Sequence, residues 1–185
     1  TDPRAIFTAD AGTYTLRWTL TTGCFNDVQV VVTSCDQIDF DGNDDYVTFR
    51  NNYPLGNTFS IEAWVKPNGL SGNRTILSKK LASANDAGYN LNVVNGQVRF
   101  NWYSALGNGY IYASHNINTD RWYHVAVTYD GVYKLYIDGI DIGTTSGTPR
   151  APDATAPNIE SLLGALDDVA GPSNSSTENF HGWID

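Results

Sequence analysis

Arg121-Trp-Tyr-His-Val-Ala-Val-Thr-Tyr-Asp-Gly131, followed after Val132 by Tyr133-Lys-Leu-Tyr-Ile-Asp-Gly139, is the stretch that decides the fold class. Tyr123, Val125, Val127 and Tyr129 alternate with Trp122, His124, Ala126 and Thr128. In the second run Tyr133, Leu135 and Ile137 alternate with Lys134, Tyr136 and Asp138. A period of two places one set on a buried face and the other on the opposite face of a β-strand. Asp130-Gly131 and Asp138-Gly139 mark tight reversals, because both residue types tolerate the backbone angles of a hairpin turn. The stretch therefore reads as antiparallel strands with one face in a core.

The same pattern extends outward in both directions. Strands are predicted at 38–41, 45–50, 59–66, 74–79, 89–94, 97–103, 109–115, 122–129, 133–138, 140–145 and 161–166. Asn95-Gly96 between Val94 and Gln97 is the strongest hairpin signal. No helical period is sustained over 11 residues or more, so the fold class is all-β. Residues 149–157 and 171–177 are rich in proline or serine and read as long surface loops. Asn73-Arg-Thr75 and Asn174-Ser-Ser176 match the glycosylation sequon, a pattern of low specificity.

Ahead of these lie two further strands, 12–20 and 27–33, joined by a turn at Thr21-Thr-Gly23. Two strands alone cannot bury a core, which sets residues 1–36 apart from a second domain at 37–185. Cys24 and Cys35 flank the second of these strands. An extended segment of that length holds them on the order of 25 Å apart, far beyond the ~7 Å Cα separation a disulfide tolerates, so they are expected not to pair.

The chain has 185 residues, 41% hydrophobic and 12% aromatic, with a formal net charge of −9. That composition belongs to a folded protein rather than a disordered one. Its negative charge disfavours nucleic acids and anionic membrane surfaces and suits calcium as a partner. No apolar run approaches the ~20 residues that a membrane-spanning helix needs, so no direct membrane insertion is expected.

Four strings in a fixed order, Asp39-Phe-Asp-Gly-Asn-Asp-Asp-Tyr-Val47, Phe59-Ser-Ile-Glu-Ala-Trp-Val-Lys-Pro67, Arg121 to Gly131 and Leu135-Tyr-Ile-Asp-Gly139, resemble laminin-G-like domains of the concanavalin A-like type. His181-Gly-Trp-Ile-Asp185 resembles the closing strand of that family. The resemblance covers residues 37–185 and implies a jelly-roll sandwich of two antiparallel sheets. Relatives continue beyond this point with a further apolar strand, so closure of the sheet is expected to be incomplete. Ala9-Asp-Ala-Gly-Thr-Tyr14 resembles the late strands of immunoglobulin-like or polycystic-kidney-disease-type sandwiches, and residues 1–36 are expected to be the end of such a domain.

The resemblance also implies sites. Calcium binds six to eight oxygens, and Asp39, Asp41, Asp44 and Asp45 crowd one turn. Matched to the family, Asp41, the carbonyl of Gly42, Asp44 and Asp185 are the expected ligands of a structural Ca2+. Asp167 and Asp168 form a second candidate metal site at the rim. For ligand binding, Arg99, Tyr103, Trp122, His124 and Tyr136 lie opposite the core-facing residues of their strands. Rings beside hydrogen-bonding groups suit glycans, provided that these strands share one sheet. Trp64 is ambiguous, since Phe59, Ile61, Ala63 and Val65 alternate against it.

Catalysis is not expected. Related glucanases carry Glu-x-Asp-x-x-Glu on one strand, and no such string is present. Nor do His115, His124 or His181 fall in a metal-protease or hydrolase motif. The sequence thus points to a non-catalytic recognition or adhesion module, secreted or on the cell surface, that binds a glycan or a surface protein beside neighbouring domains. The style resembles Bacteroidetes adhesins exported by type IX secretion. The alternatives are an accessory carbohydrate-binding module of a secreted polysaccharide-degrading enzyme, or a structural spacer.

Overall fold

The computed structural model describes residues 12–19, 22–32, 37–80, 87–153, 159–166 and 178–185. It divides into two compact units, 1–36 and 37–185. In the first, β1 (Gly12–Thr19) and β2 (Phe25–Val32) pair antiparallel, from Gly12 opposite Val32 to Thr19 opposite Phe25. Arg17 and Asp27, directly opposite each other, form a two-pronged ion pair at 2.8 and 2.9 Å. Phe25, Val28 and Val31 are exposed. Cys24 is an exposed free thiol, and Cys35 lies outside the described residues.

The second unit contains β3 (Ile38–Asp41), β4 (Val47–Thr48), β5 (Phe59–Pro67), β6 (Asn73–Lys79), β7 (Gly88–Val94), β8 (Gln97–Tyr103) and β9 (Gly109–Ala113). After these come β10 (Tyr123–Tyr129), β11 (Tyr133–Ile137), β12 (Ile140–Asp141), β13 (Gly143–Ser146), β14 (Leu162–Leu163) and β15 (His181–Ile184). They form a six-stranded sheet in the order β12-β11-β10-β5-β15-β3 and a seven-stranded sheet in the order β13-β9-β8-β7-β6-β14-β4. Every pairing is antiparallel. The fold is an all-β sandwich of two antiparallel sheets, consistent with a jelly roll.

Alternation builds the core as the sequence requires. Val98, Phe100 and Trp102 from β8 and Val125 and Val127 from β10 are fully buried, while their neighbours along each strand are not. Rings bridge the sheets: Trp102 of the seven-stranded sheet stacks on Tyr133 of the six-stranded one, with centroids 4.3 Å apart. The Asn95-Gly96 turn has positive φ at both residues (48° and 88°), as a type I′ hairpin demands.

Three of the expected strands differ in an instructive way. The strand expected at 140–145 is two strands in different sheets, Ile140–Asp141 and Gly143–Ser146. The chain crosses over at Gly143, where a Cβ would lie 2.5 Å from Ile111 Cδ1 and 2.9 Å from the Leu135 amide. The segments 45–50 and 161–166 shrink to two-residue strands, Val47–Thr48 and Leu162–Leu163. Alternation reports which residues face a core and is silent on which sheet a strand joins or how far its ladder runs.

Candidate functional site

The outer face of the seven-stranded sheet is polar and ring-bearing across four adjacent strands. Its rows follow from the register. Asn90, Asn101, Tyr110 and Ser146 lie side by side, and so do Asn92, Arg99, Tyr112 and Thr144. At the β8–β9 end, Asn101, Tyr103, Asn108, Gly109, Tyr110, Ser146 and Gly147 line an open cavity of about 260 Å³. Gly109 leaves no room for a side chain on its core side, since a Cβ there would sit 2.3 Å from the Trp102 ring and 2.6 Å from the Ser146 carbonyl oxygen.

The polar groups of this face are oriented by one another. Asn101 donates to Asn92 Oδ1 at 3.2 Å. Arg99 Nε donates to Gln97 Oε1 at 2.9 Å, and Gln97 in turn donates to the Ala113 carbonyl at 3.0 Å. The Arg99 guanidinium lies 5.3 Å from the Tyr110 ring centre, and Lys80 Nζ lies 4.6 Å from that of Tyr103. Burial, and to a lesser degree Glu178, pushes the Tyr103 phenol up from its ordinary pKa. Asn90 is only 4% exposed and its Oδ1 has no hydrogen-bond partner. An unpaired buried acceptor costs about 1–3 kcal/mol, so this row retains an unmet demand for a donor.

The outer face of the six-stranded sheet differs. Trp64, 48% exposed, lies opposite His124, their rings 5.2 Å apart. His124 Nε2 is 3.4 Å from Glu62 Oε2, Lys66 Nζ is 4.7 Å from the Trp183 ring centre, and Arg121 pairs with Asp138. Tyr136 lies opposite Ala126 on the same face. Trp122, one residue before β10, shares the outward parity of His124.

The expected five-residue ligand surface is therefore split. Trp122, His124 and Tyr136 belong to the six-stranded sheet, whereas Arg99 and Tyr103 belong to the seven-stranded sheet, whose outward face lies across the core. The condition that these strands share a sheet does not hold. Asn90, Asn101, Asn108 and Tyr110 are additional residues of the seven-stranded face. The alternation of Gly109-Tyr-Ile-Tyr-Ala113 carried a signal for Tyr110, but only the β8–β9 pairing sets it beside Asn101 and Tyr103.

Carboxylate oxygens of Asp41, Asp44 and Asp45 lie within 4.8 Å of one another. The loop is folded onto itself: Asn43 N–H donates to Asp41 Oδ1 at 2.7 Å, and Asp41 N–H donates to Asp45 Oδ2 at 2.9 Å. Donation from the Asn43 backbone, then from its side chain, holds the Asp41 carboxyl below its usual pKa. Gly42 has φ +84°, and a Cβ there would lie 2.8 Å from that of His181. Fully buried Asn179 donates its side-chain amide to the Asn43 carbonyl, and its Oδ1 has no partner.

The closing segment thus meets the acidic loop through Asn179 and His181, not through Asp185. His181 lies opposite Asp41 and Ile184 opposite Ile38, so Asp185 falls at the far end of β3, about 13 Å along the ladder at ~3.3 Å per residue. There it exchanges backbone hydrogen bonds with Trp64 at 2.8 and 2.9 Å. Antiparallel register removes Asp185 from the expected ligand set, while Asp45 and Asn179 lie at the cluster. Asp167 and Asp168 lie outside the described residues.

This geometry agrees with comparison to known proteins. A family model described as the concanavalin A-like lectin/glucanases superfamily, Laminin_G_3, matches residues 41–185, and the chain belongs to that family. None of the curated proteins matches it in sequence. Among solved structures, domains LG4-5 of the mouse laminin alpha1 chain superpose with a TM-score of 0.56 at 14% identity, over 85% of this chain and 41% of that one. The CBM40 of the Ruminococcus gnavus IT-sialidase, bound to alpha2,3 sialyllactose, superposes at 0.59 and 15% identity, over 80% and 86%. Domain 4 of AbnA, a GH43 extracellular arabinanase from Geobacillus stearothermophilus, in complex with arabinotriose, gives 0.55 and 21% identity, over 94% and 73%. At these identities the likeness is one of fold. Among the described residues no helix is long and apolar enough to cross a membrane.

Proposed function

We propose that the second unit is a non-catalytic, extracellular recognition module that holds a glycan on the outer face of the seven-stranded sheet. The observation that carries this reading is the cavity of about 260 Å³ in which Tyr103 and Tyr110 flank Asn101 and Asn108. Sugar rings present C–H faces that pack on aromatic rings, and their hydroxyls need donors and acceptors set between those rings. Sialyllactose and arabinotriose on the Ruminococcus and Geobacillus domains support a sugar ligand. Both of those domains belong to glycan-processing enzymes, which favours an accessory role as the second reading of the same site.

The acidic loop suits calcium. Three carboxylates of one turn, Asp41, Asp44 and Asp45, offer the oxygen donors that calcium prefers.

Calorimetric titration with a panel of soluble oligosaccharides, with calcium and with chelator, tests both statements. Tyr110→Ala should weaken the bound sugar about tenfold, the equivalent of one lost ring contact, while Trp64→Ala leaves binding unchanged. The reverse result would move the site to the six-stranded sheet, and no binding by any sugar would refute the glycan reading. Calcium at ~100 times its Kd should raise stability by about 2.7 kcal/mol, and Asp45→Asn should abolish the rise.

A further inference from the structure

We infer that the ligand of the seven-stranded face is an anionic glycan, and that Arg99 receives its carboxylate. This rests on the glycan reading above and concerns the class of sugar. Across β7, β8, β9 and β13 the outward ladder residues are Asn90, Asn92, Val94, Gln97, Arg99, Asn101, Tyr103, Tyr110, Tyr112, Thr144 and Ser146. Arg99 is the one charged residue among them. In a chain of net charge −9 the expected fate of a surface arginine is pairing with one of 20 acidic residues. Arg99 has no carboxylate partner among the described residues. Arg17 and Arg121, by contrast, are each paired with an aspartate.

Its placement is that of a receptor group. Gln97, itself held by the Ala113 carbonyl, fixes the Nε edge of the guanidinium, and the Tyr110 ring lies beneath it. Those contacts use only Nε and one face. The two terminal nitrogens are the pair that grips a carboxylate through two parallel hydrogen bonds. Tyr110 belongs both to the cavity and to the support of Arg99. A sugar resting on the tyrosines would therefore carry an acidic substituent to the guanidinium. The overall negative charge works against anions at long range, so such a ligand depends on this local contact.

The test uses matched pairs that differ by the carboxylate: trigalacturonate against galactotriose, and sialyllactose against lactose, titrated into the whole chain. The acidic member of at least one pair should bind about tenfold tighter than its neutral partner. Arg99→Gln, which keeps an amide donor and removes the charge, should erase that difference and leave neutral-sugar affinity as it was. Arg99→Lys should recover only part of it, because an ammonium lacks the planar fork. Equal losses for acidic and neutral sugars in Arg99→Gln would mean that Arg99 only props Tyr110, overturning the inference. Binding of neutral members alone would sink the anionic class while the glycan reading stands. Silence from every sugar would remove both.

Discussion

On the six-stranded sheet the outward side chains satisfy one another: His124 reaches Glu62, Lys66 covers Trp183, and Arg121 holds Asp138. On the seven-stranded sheet the buried amide oxygen of Asn90 has no partner, and the guanidinium of Arg99, with no carboxylate partner among the described residues, lies over Tyr110, a ring that lines the cavity. Both faces come from the same period-two alternation, and both carry aromatic residues. What separates a closed protein surface from a candidate site is whether its polar groups already have partners. An exposed ring such as Trp64, taken alone, is weak evidence for a ligand.

The contrast can be broken from the inside. Trp102→Ala removes the ring that joins the sheets through Tyr133 and the ring beneath Gly109. It should cost about 3–5 kcal/mol in urea denaturation. Sugar binding should weaken with it, because Trp102 packs under Gly109, which lines the cavity. An unchanged cavity would mean that the outer face is shaped independently of the core.

Gly182→Ala separates the faces more finely. Gly182 has φ +137°, and a Cβ there would lie 2.2 Å from the Lys66 carbonyl oxygen, so the substitution strains the β15–β5 ladder of the six-stranded sheet. A loss of about 1–3 kcal/mol is expected, with sugar affinity retained. Loss of affinity without loss of stability would place the ligand on the six-stranded face instead.

The smallest effect expected is on alkaline stability. Burial pushes the phenols of Tyr89 and Tyr133 well above their ordinary pKa. Above pH ~10 the unfolded chain releases these protons while the folded one keeps them. Their contribution is thus complete below that pH and declines as pH rises past it. Tyr133→Phe should flatten the decline, although it also loses the 2.7 Å hydrogen bond to the Arg150 carbonyl. A melting-temperature profile between pH 8 and 11 reads the slope, and equal slopes for both proteins would show that Tyr133 is not its source.

Much of the strand content was legible in advance because burial of one face imposes a period of two. The segments 38–41 and 97–103 appear in the structure with the expected bounds. The sites were legible only in part. Asp41 and Asp44 were visible as neighbours in one turn, whereas Asn179 is 136 residues from its partner Asn43, a separation that leaves no local trace. Asp185 was misplaced because a closing strand can approach an acidic loop with either end, and antiparallel register puts His181 there instead.

The sequence by itself determined the all-β class, the core-facing residues of the strands at 97–103, 123–129 and 133–137 and the Asn95-Gly96 turn, since alternation and positive φ are local properties of the chain. Tertiary structure alone decided which strands share a sheet. It set Arg99 and Tyr103 across the core from Trp122, His124 and Tyr136, brought Tyr110 beside Asn101, and left Asn90 without a partner. The reason is physical: the hydrophobic effect that writes the alternation rewards burial without regard to which neighbour provides it. A site depends on which neighbour is there.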